Sequence, residues 1–218
     1  MILAGHQSMM NTGGGLPYDY VCQYHTFDGY SCVITDSVPD STKKWRVVFD
    51  GTYVSGGEAN VIGLYDNTTG TANRVYIGPY PGAAKDRVML VATDGGISGA
   101  STSVLCDLTV DIQNKVITRI KNGSTTTASI GNFGSFVTQK PVGLGARNSY
   151  NTSTPPHKIE IGFKGKVYSF EEWTSGTKTA DWIPVVVGTE ACYYDQITGT
   201  IYHADLTLGN ALTAGPAA

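Results

Sequence analysis

Two β-branched runs, Lys115 to Lys121 and Ser124 to Ile130, are separated only by Asn122-Gly123. A two-residue connection closes as a type I′ turn, which needs positive φ at both central residues, and Asn-Gly adopts that pair of conformations at little cost. An antiparallel hairpin is predicted here. Similar runs recur at Cys22 to His25, Tyr30 to Thr35, Lys44 to Tyr53, Asn60 to Tyr65, Arg74 to Gly78, Arg87 to Thr93, Ser103 to Asp111, Pro141 to Arg147 and Ile159 to Tyr168. Asp28-Gly29, Asp50-Gly51, Gly56-Gly57 and Asn67-Thr68-Thr69-Gly70 read as places where the backbone can reverse, since glycine and asparagine tolerate positive φ.

About a dozen short strands without a crossover helix exclude a parallel α/β sheet and favour two antiparallel sheets face to face. An all-β jelly-roll sandwich is the expected fold; an up-and-down barrel would need evenly spaced strands. With 218 residues, 41% of them hydrophobic, the chain can bury one sizeable core. The expected division is an arm over residues 1–15, ending in Gly13-Gly14-Gly15, and one domain over residues 16–218.

The C-terminal third reads as strand, connector, hairpin. Lys166 to Phe170 alternates, with Val167 and Ser169 on one face and Lys166, Tyr168 and Phe170 on the other. Asp181-Trp182-Ile183-Pro184 reads as the connector, and Tyr193-Tyr194-Asp195 and Thr200-Ile201-Tyr202 as the hairpin strands around Gly199.

A formal net charge of −3 and scattered basic residues argue against a nucleic-acid surface, and Lys43-Lys44-Trp45-Arg46 reads as a solvated strand end. No apolar run is long enough to span a bilayer, and Met1 to Gly15 lacks the basic start of a secretory signal. Cys22, Cys32, Cys106 and Cys192 form no CxxC pair and read as buried reduced thiols, with a Cys22–Cys32 disulfide as the alternative.

Several segments together resemble the concanavalin A-like or laminin G-like jelly roll: Val110 to Gly123 looks like its central hairpin, Val142 to Asn148 like the next strand, and Phe163 to Phe170 like the strand after that. More narrowly, Leu16-Pro17-Tyr18-Asp19-Tyr20, Asp181-Trp182-Ile183-Pro184 and the Tyr-Asp-x-x-Thr-Gly hairpin are similar to modules of bacteriophage tail-fibre and virion surface proteins and of gut-bacterial surface proteins. Glu171-Glu172-Trp173 and Cys192-Tyr193-Tyr194 depart from that pattern. The resemblance implies a non-enzymatic virion surface protein: a capsid decoration, head-fibre or tail-fibre component, assembled in the host cytoplasm. Its arm would dock on another virion protein or a neighbouring subunit of a homo-oligomer. The alternative is a lectin-like carbohydrate-binding module, with a glucanase as a distant third.

Glucanases on this fold place several carboxylates on one strand so that two can flank a scissile bond. Glu171 and Glu172 are adjacent and are expected on opposite faces, and Asp107 and Asp111 lie too far apart. His6, His25, His157 and His203 sit in no nucleophile motif, and His203 reads as a core-edge residue held by a backbone carbonyl. No catalytic residue, cofactor or required metal is expected; Asp66-Asn67-Thr68-Thr69 and Asp94-Gly95-Gly96 offer oxygen ligands for calcium but are equally good turns. Glycan binding would rest on aromatic faces and hydrogen-bonding side chains: Tyr80 in Pro79-Tyr80-Pro81-Gly82, Tyr150 beside Arg147-Asn148, and Trp173.

Overall fold

The computed structural model describes residues 15–53, 59–68, 72–152 and 157–218. The predicted arm up to Gly14, the Gly56-Gly57 turn and the Thr69-Gly70 half of the next turn lie outside the described residues.

In chain order the strands are β1 (Tyr20–Val21), β2 (His25–Asp28), β3 (Val33–Ile34), β4 (Lys43–Tyr53), β5 (Ile62–Asp66), β6 (Asn73–Tyr80), β7 (Lys85–Leu90), β8 (Thr93–Ser98), β9 (Cys106–Asp111) and β10 (Val116–Lys121). They continue with β11 (Ser124–Ser129), β12 (Gly143–Leu144), β13 (Arg147–Tyr150), β14 (His157–Glu160), β15 (Phe163–Thr174), β16 (Thr177–Val187), β17 (Glu190–Asp195), β18 (Ile201–Tyr202) and β19 (Thr213–Ala214). The described residues hold no helix long and apolar enough to cross a membrane.

The protein is an all-β sandwich of two antiparallel sheets. The first runs β11-β10-β9-β4-β15-β16-β17-β18, with β1 beside β16 and β2 between β15 and β19. The second runs β14-β13-β5-β6-β7-β8, with β12 beside β5 and β3 beside β12; its β13–β5 pair is parallel. Alternate residues of both sheets meet in one core, in which Trp45, Phe49, Phe163, Phe170, Trp182 and Tyr193 are almost fully buried. Each such side chain contributes about 1.5–3 kcal/mol through the surface it removes from water.

The Asn122-Gly123 hairpin forms as expected, with φ of 52° and 75° and Lys121 opposite Ser124. Four expectations change. Asp50-Gly51 is not a turn but part of β4, where β15 crosses so closely that a Cβ on Gly51 would come within 2.4 Å of the Lys164 carbonyl oxygen. Glycine serves close approach there, not reversal. Asp94-Gly95-Gly96 likewise lies within β8, and the chain reverses at Val91 instead, with φ of 57°.

The alternation across Lys166 to Phe170 is broken at Tyr168, where the register with β4 slips between Val167 and Ser169. One bulged residue moves every later side chain to the other face. Val167 and Phe170, expected on opposite faces, therefore both enter the core.

Asp181-Trp182-Ile183-Pro184 is not a connector but lies within the eleven-residue β16. Both faces of this strand are covered: Trp182 enters the main core, while Ile183 and Val185 form a second cluster under Tyr18, Val21 and Ile201. That double burial removes the polar/apolar alternation that marks a half-buried strand. Pro184 is tolerated because its carbonyl accepts from the Cys22 N–H at 2.8 Å, so its nitrogen faces the edge that β15 has already left.

Candidate functional site

The second sheet carries the most unusual surface. Period-two alternation sends Ile62, Leu64, Val75, Ile77, Val88 and Leu90 into the core, which leaves Tyr65, Arg74, Tyr76, Tyr80 and Arg87 on the outer side. Arg147 on β13 joins them, because the parallel register sets it opposite Gly63, itself opposite Tyr76.

These side chains interleave across four strands, β13, β5, β6 and β7. Arg74 lies 5.8 Å and Arg147 5.6 Å from the Tyr65 ring centroid; Arg147 also lies 5.2 Å from Tyr76; Arg87 lies 5.7 Å from Tyr76 and 4.8 Å from Tyr80. Each contact falls within the range at which an aromatic quadrupole attracts a cation. Acidic groups stand at the two ends of the array: Glu160 accepts from Arg147 at 2.6 Å, and Asp94 pairs with Arg87 at 3.1 Å and Lys85 at 3.0 Å. Arg74 has no carboxylate partner among the described residues. Three of the scattered basic residues, Arg74, Arg87 and Arg147, are thus brought together by strand register.

Beside the array, Tyr65, Asn67, Arg147, Asn151, Lys158 and Glu160 line an open cleft of about 450 Å³. Burial pushes the Glu160 carboxyl up, but hydrogen bonds from Lys158, Ser149 and Arg147 outweigh it and hold the group down at about 2, so it is a fixed negative charge. Together the cleft offers an aromatic face, a guanidinium, amides, an ammonium and a carboxylate.

The predicted glycan residues are divided among three places. Tyr80 and Arg147 belong to this array. Asn148 and Tyr150 do not share its face: the Asn148 amide is fully buried and donates to the Pro141 carbonyl at 2.9 Å and the Tyr150 hydroxyl at 3.2 Å. The Asn148 Oδ1 meets His157 Nε2 at 2.6 Å, and the Tyr150 ring stacks on His157 at 4.2 Å. Neighbouring residues of one strand point to opposite sides, which separates Arg147 from Asn148. Trp173 lies on the first sheet, under Lys44 at 4.1 Å and Lys178 at 5.4 Å.

The carboxylates considered for hydrolysis are all engaged. Glu172 is buried, pairs with Lys43 at 2.7 Å and accepts from Thr179, Ser37 and the Trp45 Nε1–H. Glu171 faces outward and binds Arg46 at 2.8 Å, while Arg46 grips Asp107 through two further bonds. Lys43-Lys44-Trp45-Arg46 is thus a fully partnered strand start, not a solvated end. Asp111 accepts from Asn114 and Asp66 from the Thr68 N–H, as turn chemistry predicts, and Asp66 also accepts from the distant Thr138 hydroxyl.

One grouping escaped the sequence reading. His203 Nδ1 lies 2.9 Å from Glu190 Oε1 and 3.4 Å from Cys192 Sγ, rather than on a backbone carbonyl. Its signal was available in the C-terminal hairpin, where the Tyr193–Tyr202 pairing places His203 opposite Cys192. Burial, with Glu190 adding to it, pushes the Cys192 thiol up to about 12, which removes the character of an activated nucleophile. All four cysteines are buried and unpaired.

No protein-family model matches the chain. No curated protein matches it either. Among solved structures, the chain is similar to one of the full extracellular region of zebrafish Gpr126/Adgrg6, with 11% identity, 86% of this chain covered and a TM-score of 0.45. The chain spans 27% of the length of that structure. The likeness concerns the β-sandwich alone, and nothing about function follows from it.

Proposed function

We propose that this chain is a non-enzymatic virion surface protein of the bacteriophage type whose second sheet reads an anionic glycan on the host surface. The observation that carries the glycan reading is the Tyr65–Arg147–Tyr76–Arg87–Tyr80 array beside the 450 Å³ cleft. Sugar rings stack on aromatic faces, and guanidinium groups bind carboxylates or sulfates through paired N–H donors. Arginines already stacked on tyrosines lose little rotamer freedom when a ligand arrives, which lowers the cost of binding. The virion reading is supported by the resemblance of the segments around Leu16, Asp181 and Tyr194 to phage surface modules, with the arm over residues 1–15 as attachment to another virion protein and a homo-oligomer as the assembled form. The engagement of Glu171, Glu172 and Asp107 in ion pairs supports the non-enzymatic part.

Two experiments test this. On a glycan array, the protein is expected to retain uronic-acid or sulfated glycans, with retention falling as salt rises; binding to none of them removes the glycan reading. Deleting residues 1–15 is expected to abolish incorporation into particles, and unchanged incorporation contradicts the docking arm.

A further inference from the structure

The grouping at the C-terminal hairpin joins three metal-ligating chemistries outside the arginine–tyrosine face. Glu190 and Cys192 are two residues apart on β17 and share a face, while His203, the residue after β18, comes from across the ladder. The carboxylate oxygen, thiol sulfur and imidazole nitrogen all lie within 4.8 Å of one another. We propose that Glu190, Cys192 and His203 form a binding site for a zinc-like divalent cation, with solvent in the fourth position.

Three observations support it. First, the spacing fits: a tetrahedral ion holding sulfur at about 2.3 Å and nitrogen at about 2.1 Å keeps its donors roughly 3.5 Å apart. The Cys192–His203 separation is already 3.4 Å, and the His203–Glu190 separation of 2.9 Å needs only a small widening. Second, the donor set is selective. Sulfur with nitrogen suits zinc, cobalt or copper, and it does not suit calcium or magnesium, which take oxygen. Third, the site is both anchored and open. Cys192 is fully buried beside Val185, and its carbonyl oxygen meets His25 Nε2 at 2.6 Å. The His203 and Glu190 side chains remain 51% and 44% exposed, which gives an ion a way in.

On binding, Cys192 forms a sulfur–metal bond as thiolate and its proton leaves to solvent, while His203 contributes the Nδ1 lone pair of its neutral ring. Full-length protein stripped with chelator and titrated with cobalt(II) is expected to take up one ion per chain. The bound ion should show the near-ultraviolet thiolate-to-cobalt charge-transfer band and tetrahedral d–d bands, and zinc should bleach both. Cys192→Ser is expected to abolish the charge-transfer band. His203→Ala and Glu190→Gln, at exposed positions where folding is not at risk, are expected to weaken binding at least about tenfold, the loss seen even for partners outside the ligand set. Absence of the charge-transfer band in the unaltered protein overturns the site, as does affinity unchanged in His203→Ala and Glu190→Gln.

Discussion

The two sheets present outer faces built from similar residue types to opposite effect. On the first sheet, charge alternates strand by strand: Asp107, Arg46, Glu171, Lys178 and Asp181 form a continuous chain of ion pairs. Glu171 stands directly opposite Asp181 in the ladder, an arrangement that repels, and Lys178 bonds both. On the second sheet the cations alternate with tyrosines instead, and Glu160 and Asp94 flank the array. A carboxylate neutralises a guanidinium, whereas an aromatic ring orients it and leaves its charge in place. The first face uses its charge to hold register; on the second, Arg87 and Arg147 each combine a carboxylate with tyrosine rings, and Arg74 lies against the Tyr65 ring.

The inward side of β7 gives the largest test of that contrast. Asp86 is fully buried and accepts from Arg119 of the opposite sheet at 2.7 Å and from the Ser101 N–H and hydroxyl. Asp86→Ala strands the guanidinium in the core and is expected to cost about 3–5 kcal/mol in urea unfolding. Arg46→Ala removes a partly exposed network and is expected to cost about 1 kcal/mol in the same assay. Equal losses would mean that surface pairing on the first sheet is as structural as pairing in the core.

The smallest effect is acid-dependent. Glu160 is held at about 2, below its ordinary 4.5, so its stabilising contribution is complete above pH 4.5 and is lost as pH falls from there towards 2. Glu160→Gln should flatten the stability–pH profile in that window, and an unchanged slope would show that Glu160 is not fixed by its neighbours.

Much of this architecture was legible in the residues. Asn122-Gly123 announced its hairpin because the turn chemistry is local, and β4 and β9 were found as strand-like runs. β16 was hidden because both its faces are buried, and the face of Phe170 was misassigned because a bulge carries no sequence mark. The array stayed invisible for a different reason. Its members span positions 65 to 147, and only the strand order β13-β5-β6-β7, with its parallel step, brings them together. Tyr80 and Arg147 were picked out singly, while Tyr65, Tyr76, Arg74 and Arg87 were not, since nothing in a single strand says which neighbour it will face.

Under the proposed function, ligand binding belongs to the face of the second sheet and not to that of the first. It is tested most directly by measuring retention on an immobilised anionic polysaccharide for the unaltered protein, Arg87→Ala/Arg147→Ala and Arg46→Ala side by side. The double variant is expected to lose at least about tenfold in affinity, about 1.4 kcal/mol, while Arg46→Ala binds as the unaltered protein does. Equal retention by all three, or loss only in Arg46→Ala, would contradict it.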